Sequence, residues 1–138
     1  MKRKKILIVS AEYYSKISMV MENNAIDCLE KWKGFSINNP RNDLENVPGV
    51  FEIPVTIAKN IKKYDGFIAL GCIIKGETPH FDFISQATTD AIMKLSIDYK
   101  KPIGNGIITS LNKLQAAQRS KKKGGEAANA VIKVLDNF

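Results

Sequence analysis

The chain is poor in the residues that build metal and redox centres: one histidine, two cysteines and one tryptophan in 138 residues. Cys28 and Cys72 stand alone, with no C-x-x-C spacing, and a single histidine cannot complete a His/Cys metal cluster with them. Reduced, partly buried thiols are the ordinary reading. No apolar run approaches the length needed to cross a bilayer. Ile6-Leu7-Ile8-Val9 is too brief for a signal-peptide core, and no small-residue cleavage site follows it. A strand near the start, a cytoplasmic location and no membrane partner are expected. Arginine is also scarce, with only Arg3, Arg41 and Arg119 behind a net charge of +7. Base readout and phosphate clamping favour arginine, and the lysines are scattered, so the charge argues only weakly for nucleic acid. Repeats, low-complexity tracts and linkers are absent.

What is present is the composition of a globular protein, 44% hydrophobic and 25% charged, with length for one domain spanning residues 1–138. Ile6 to Val9 is a β-branched-rich run, as in a strand buried on both faces. Ile17, Met21, Ala25, Cys28 and Trp32 recur at helical spacing and predict a helix from about residue 17 to Gly34. Phe35-Ser36-Ile37 reads as a short second strand, Asn38–Pro48 as a loop, and Phe51-Glu52-Ile53 as extended. Pro54 suits the first turn of a second helix. Gly66–Ile74 reads as a central strand, and a third helix starts near Thr78-Pro79. Pro102–Thr109 reads as a fourth strand, followed by two helices, 112–119 and 125–136, broken by Lys121 to Gly125. This alternation predicts an α/β fold with a parallel sheet covered by helices on both faces.

In such a sheet the strand ends project the same way, and ligands bind beyond the carboxyl ends. Chemical groups cluster at those ends: Glu12 and Tyr13 after the first strand, Gly49 to Glu52 near the extended piece, Lys75 to His80 after the third, Asn105 and Thr109 on the fourth. Gly76 permits a tight turn, Thr78 can cap a helix, and Pro79 fits its first turn. Free N–H groups there would receive an anion. His80 would stand at the mouth of that anion site, and histidine is the side chain suited to moving protons near neutrality. A lone histidine is otherwise most often a surface or packing residue; the turn chemistry around this one favours a functional role. For Glu52, a solvated carboxylate and a hydroxyl-binding group stand equal on spacing alone. Tyr13 fits either a core or a ring-stacking position. Arg119 reads as a helix C-terminal cation, and Lys121 to Lys123 as a solvated loop.

These residues carry a resemblance. Gly49-Val50-Phe51-Glu52-Ile53-Pro54, then Leu70 to Phe83 with Gly76-Glu77-Thr78-Pro79-His80 at its centre, then Pro102 to Thr109 running on to Gln115, Ala116 and Arg119, and Gly124 to Ala128, are together similar to the 6,7-dimethyl-8-ribityllumazine synthases of riboflavin biosynthesis. The resemblance implies a three-layer α/β/α, flavodoxin-like fold with a four-stranded parallel sheet ordered 2-1-3-4. It implies condensation of 5-amino-6-(D-ribitylamino)uracil with 3,4-dihydroxy-2-butanone 4-phosphate, releasing phosphate and water, with no metal and no organic cofactor. Tyr13 would stack on the pyrimidine; Val50, Phe51 and Glu52 would hold the ribityl chain; Cys72, Ile73 and Ile74 would line the pyrimidine. Glu77 and Thr78 would offer N–H groups to the phosphate, and His80 would transfer protons. Asn105 and Arg119 would come from a neighbouring subunit, Arg119 pairing the phosphate. A homo-oligomer with sites between subunits is implied, either a pentamer or a sixty-subunit icosahedral shell, with a functional link to riboflavin synthase.

Three departures stand out: Asn105 occupies a position where phenylalanine is common, Glu12 one where arginine is common, and the Lys121–Gly125 connection is short. That last departure leaves the family's post-arginine lysine without an assigned position. Two rivals remain. A flavodoxin-like flavin or nucleotide module would need a Gly/Ser/Thr-rich phosphate loop after the first strand, which Ser10-Ala11-Glu12-Tyr13 lacks. A basic nucleic-acid-binding protein would show steeply salt-dependent association.

Overall fold

The computed structural model describes residues 3–35, 43–77 and 80–136. In chain order it contains β1 (Ile6–Ala11), α1 (Ser15–Glu30), β2 (Leu44–Val47), a 3-10 turn (Val50–Glu52), α2 (Ile53–Asn60), β3 (Gly66–Ile74), α3 (Phe81–Tyr99), β4 (Ile103–Ser110) and α4 (Lys113–Asp136). The strands form one parallel sheet in the order β2-β1-β3-β4, the order the resemblance implies.

The central strands explain why the sheet has two covered faces. Every residue of β1 and β3 is buried. Ile6 and Ile8 of β1, with Ile68, Leu70, Cys72 and Ile74 of β3, pack against Met21, Ala25 and Leu29 of α1 and Ala127, Val131 and Leu135 of α4. The alternate residues Leu7, Val9, Phe67, Ala69 and Ile73 pack against Ile53 and Ile57 of α2 and Ile92 of α3. Period-two alternation thus sends each strand's apolar side chains both ways, as a doubly covered sheet requires. Among the described residues no helix is long and apolar enough to cross a membrane.

Several sequence expectations need correction. Of the strand expected at Phe35 to Ile37, Phe35 makes a parallel bridge to Lys4, and Ser36 and Ile37 lie outside the described residues. A strand also forms at Leu44–Val47, inside the stretch expected to be a loop. Only Val47 there is buried, because an edge strand needs little apolar sequence. Phe51-Glu52-Ile53 is not extended but winds through the 3-10 turn into α2, with Pro54 in the first helical turn. The first helix stops at Glu30 rather than Gly34. The third begins at Phe81, and the expected starting residues Thr78 and Pro79 lie outside the described residues.

The two expected final helices are one continuous helix. Gly124 does not end it. A Cβ there would come under 3.0 Å from the backbone of Met21, so the glycine lets α1 and α4 approach closely. Asn24 Nδ2 of α1 donates to the carbonyls of Ser120 (3.3 Å) and Lys121 (2.7 Å) beside the same spot. Tertiary packing here overrides the helix-breaking preference of a glycine pair.

Candidate active site

The loop after β1 is fixed at both ends. The Glu12 N–H donates to the carbonyl of Val47 at 2.8 Å, extending the pairing with β2. Ser18 Oγ donates to the carbonyl of Ala11 at 2.5 Å, and the Ser18 N–H to that of Tyr14 at 3.0 Å. Tyr13 is left 68% exposed, its ring edge-on to Tyr14 with centroids 4.9 Å apart. In the 3-10 turn, Val50 is buried while Phe51 is 66% exposed. The Glu52 carboxylate folds back to accept the Gly49 N–H at 3.0 Å. Beyond β3, Gly76 adopts φ +87°, a left-handed conformation that glycine takes at little cost, and the Glu77 N–H donates to the carbonyl of Ile74 at 3.2 Å.

These three segments enclose a cavity of about 410 Å³ lined by Tyr13, Gly49, Val50, Phe51, Cys72, Ile73, Glu77 and Ile84. It therefore gathers Tyr13, Val50, Phe51, Cys72, Ile73 and Glu77 from residues far apart in sequence. Gly49 and Ile84, which the sequence reading did not assign to a site, complete the lining. Glu52, half-buried, is not among the lining residues, and Ile74 is buried in the core facing α1 and α4. His80 is exposed at the entrance to α3, in the left-handed conformation at φ 65°, with its ring centroid 6.1 Å from that of Phe83. Thr78, expected to cap the helix and meet the phosphate, lies outside the described residues.

Asn105 and Arg119 are not in this cavity. Asn105 is exposed on β4, its Oδ1 accepting the Ile107 N–H at 3.0 Å. Arg119 lines a separate hollow of about 350 Å³, formed by residues of β4 and α4 and including Lys122, Lys123 and Glu126. Its Nη1 donates to the carbonyl of Thr109 at 2.8 Å. Arg119 thus stands mid-helix and not at a helix end, because α4 runs on to Asp136. Lys122 and Lys123 share the arginine's hollow, an association hidden in the sequence while this stretch was read as a loop.

Electrostatically, in and beside the cavity, two weak acids are held neutral. Burial, reinforced by the hydrogen bond and charge of Glu77, pushes the Tyr14 hydroxyl up to about 12. Burial and then Glu77 push the Cys72 thiol up to about 11. Elsewhere, burial and then Asp43 raise Tyr64 to about 12. Each acid keeps its proton longer folded than unfolded, so the stability it contributes is complete below its ordinary value and fades as pH climbs through the raised one. With ordinary values of 9.0 for cysteine and 10.0 for tyrosine, Tm should fall between pH 9 and pH 12. Thermal melts at pH 8 and pH 11, at fixed ionic strength, check this. Equal melting points would contradict it.

Fold and cavity together define a class: a doubly wound α/β protein with its ligand hollow beyond the carboxyl ends of parallel strands. Comparison with known proteins narrows the class. A family model described as 6,7-dimethyl-8-ribityllumazine synthase matches residues 3–138. The protein of that name from Bartonella tribocorum is 40% identical over 138 residues, covering 95% of this chain and 87% of its own. That from Bartonella henselae is 41% identical over 139 residues, covering 95% and 86%. That from Agrobacterium fabrum is 37% identical over 147 residues, covering 99% and 95%. The chain belongs to the 6,7-dimethyl-8-ribityllumazine synthase family.

Proposed function

We infer that the chain condenses 5-amino-6-(D-ribitylamino)uracil with 3,4-dihydroxy-2-butanone 4-phosphate to 6,7-dimethyl-8-ribityllumazine, phosphate and water. The observation that carries this reading, beside family membership, is the single cavity joining Tyr13, the Val50-Phe51 turn, Cys72-Ile73 and Glu77. Its exposed aromatic side chains suit a planar heterocycle, for which ring stacking adds to the gain from burial. Val50, Phe51 and the half-buried Glu52 are proposed to hold the ribityl chain. Cys72, Ile73 and Ile74 are proposed to meet the pyrimidine largely through backbone groups.

The chemistry asks little covalent work of the protein. The 5-amino group is a nucleophile and the butanone carries its own leaving group, so orientation of the pair supplies roughly 7–11 kcal/mol. Imine formation at the ketone releases one water, elimination breaks the C–O bond to phosphate and leaves an enol that becomes a carbonyl, and attack of the ribitylamino nitrogen on that carbonyl closes the ring with loss of a second water. His80 is proposed to move protons in these steps. The N–H groups of Glu77 and Thr78 are proposed to receive the phosphate, that of Glu77 by giving up its 3.2 Å bond to the carbonyl of Ile74.

Completing the site requires a second protomer, because Arg119 opens to a different hollow from the one that holds Tyr13. A homo-oligomer, read as a pentamer, would bring Asn105 and the Arg119, Lys122 and Lys123 hollow of one subunit to the cavity of the next. The exposed apolar residues Phe83, Met93 and Ile97 of α3 support association. Arg119→Ala should raise KM for the butanone phosphate by about tenfold or more, as loss of a charge-assisted pair does, and leave binding of the pyrimidine within about twofold. Equal losses for both substrates would contradict the assignment. The reading as a whole is tested by incubating the protein with both substrates and following lumazine fluorescence and phosphate release. Absence of both would end it.

A further inference from the structure

We propose that Tyr14 is a positioning residue, its hydroxyl latching the loop after β1 to the turn after β3 through the Glu77 carboxylate. The Tyr14 hydroxyl donates to Glu77 Oε1 at 3.0 Å, joining residues 63 apart in sequence. Each end of this bond carries something the cavity needs. On one side the Tyr14 ring packs on the core between the sheet and α1 and α4, and it meets the Tyr13 ring edge-on at 80°. On the other, Glu77 lies on the turn that passes through the left-handed Gly76 and leads to His80. That turn leaves the sheet just after the Lys75 N–H donates to the carbonyl of Ser110 at 2.9 Å.

The latch has a second consequence. Glu77 lines the cavity, and a free carboxylate there would swing toward the end of the substrate that carries the phosphate. Held by the tyrosine, it is aimed at the β1 loop instead, and a like-charge contact is avoided. The donor is secure, because burial and Glu77 keep the Tyr14 hydroxyl protonated to about pH 12. The catalytic consequence rests on the synthase reading; the latch itself does not.

The test uses the full-length protein and two readouts. Tyr14→Phe keeps the ring and deletes only the hydroxyl. Hydrogen exchange at the Glu77 amide, which donates to the carbonyl of Ile74, should then accelerate by about tenfold, the loss of one hydrogen bond to a charged group. Glu77→Ala should do the same, and the double variant should exchange no faster than either single one, because both remove the same bond. Glu77→Gln should retain protection, since its amide oxygen still accepts the hydroxyl. In turnover, Tyr14→Phe should raise KM for the butanone phosphate several-fold while kcat falls far less. Unchanged exchange in Tyr14→Phe, or additive acceleration in the double variant, would overturn the latch. If Tyr14→Phe does not fold, the contrast between Glu77→Ala and Glu77→Gln decides the same point. A wild-type protein that makes no lumazine would sink the synthase reading and leave the exchange result to judge the latch alone.

Discussion

Gly124→Val should lower stability by about 3 kcal/mol or more and Tm by roughly 10 °C, whereas Gly125→Ala should raise stability by about 0.5–1 kcal/mol. The two glycines are adjacent in α4, yet their surroundings are opposite. Any Cβ at Gly124 would meet the carbonyl oxygen, carbonyl carbon and Cα of Met21. Those are backbone atoms of α1 and cannot rotate aside, so relief requires the two helices to separate. Met21, Ala25 and Leu29 on one side and Ala127, Ala128 and Val131 on the other would all lose close packing. At Gly125 a Cβ has nothing within 4 Å, so alanine there only removes the conformational freedom of the unfolded chain. Thermal or urea unfolding of both variants checks the pair. A valine at 124 tolerated as well as the alanine at 125 would show that α1 and α4 are not in close contact at that point.

The same glycines show where the sequence stops being legible. Gly-Gly inside a basic stretch carries the local signature of a helix end, and nothing within α4 announces that one of the two is a contact residue. The partner, Met21, lies in another helix about a hundred positions earlier in the chain, and Asn24 beside it ties the same region with two hydrogen bonds. β2 was hidden for a different reason. Leu44-Glu45-Asn46-Val47 has no β-branched run, and its pairing with β1 rests on backbone hydrogen bonds that side-chain pattern does not report. By contrast β1, β3 and β4 were plain, because strands buried or half-buried in a parallel sheet concentrate apolar residues in short runs.

The cavity was more legible than the fold's connections. Tyr13, Val50, Phe51, Cys72, Ile73 and Glu77 all follow or end strands and turns, and a parallel sheet sends such ends to one rim. What pattern could not supply is which residues touch across that rim. The Tyr14–Glu77 bond joins two side chains with no sequence relation, and the Lys122–Lys123–Arg119 association exists only because α4 is unbroken. Glu52 illustrates a role that spacing left open: its carboxylate caps the turn that presents Phe51, which holds the cavity wall in place whatever the second oxygen binds.

His80→Gly should slow turnover by about 10²–10⁴-fold, the usual worth of a positioned proton-transfer group, without loss of stability. His80 and Lys100 are the non-glycine residues at positive φ among those described. For Lys100 the conformation is routine: it closes the end of α3, where Lys101 N–H donates to the carbonyl of Ser96, as left-handed helix caps do. His80 instead stands at the start of the same helix, where an extended conformation is usual. Strain of about 1–3 kcal/mol at such a residue is characteristic of positions held for function, and here it falls on a residue whose imidazole is exposed, with its ring centroid 6.1 Å from that of Phe83. Glycine adopts this conformation without penalty, so the substitution relieves the backbone and removes the imidazole together. Folding and activity should therefore move apart: Tm equal to or above that of the parent, pyrimidine binding retained, turnover reduced, and partial recovery on adding free imidazole. Unchanged turnover would remove His80 from the proton-transfer role; a fall in Tm would show that the left-handed backbone is stabilised by the side chain rather than imposed upon it.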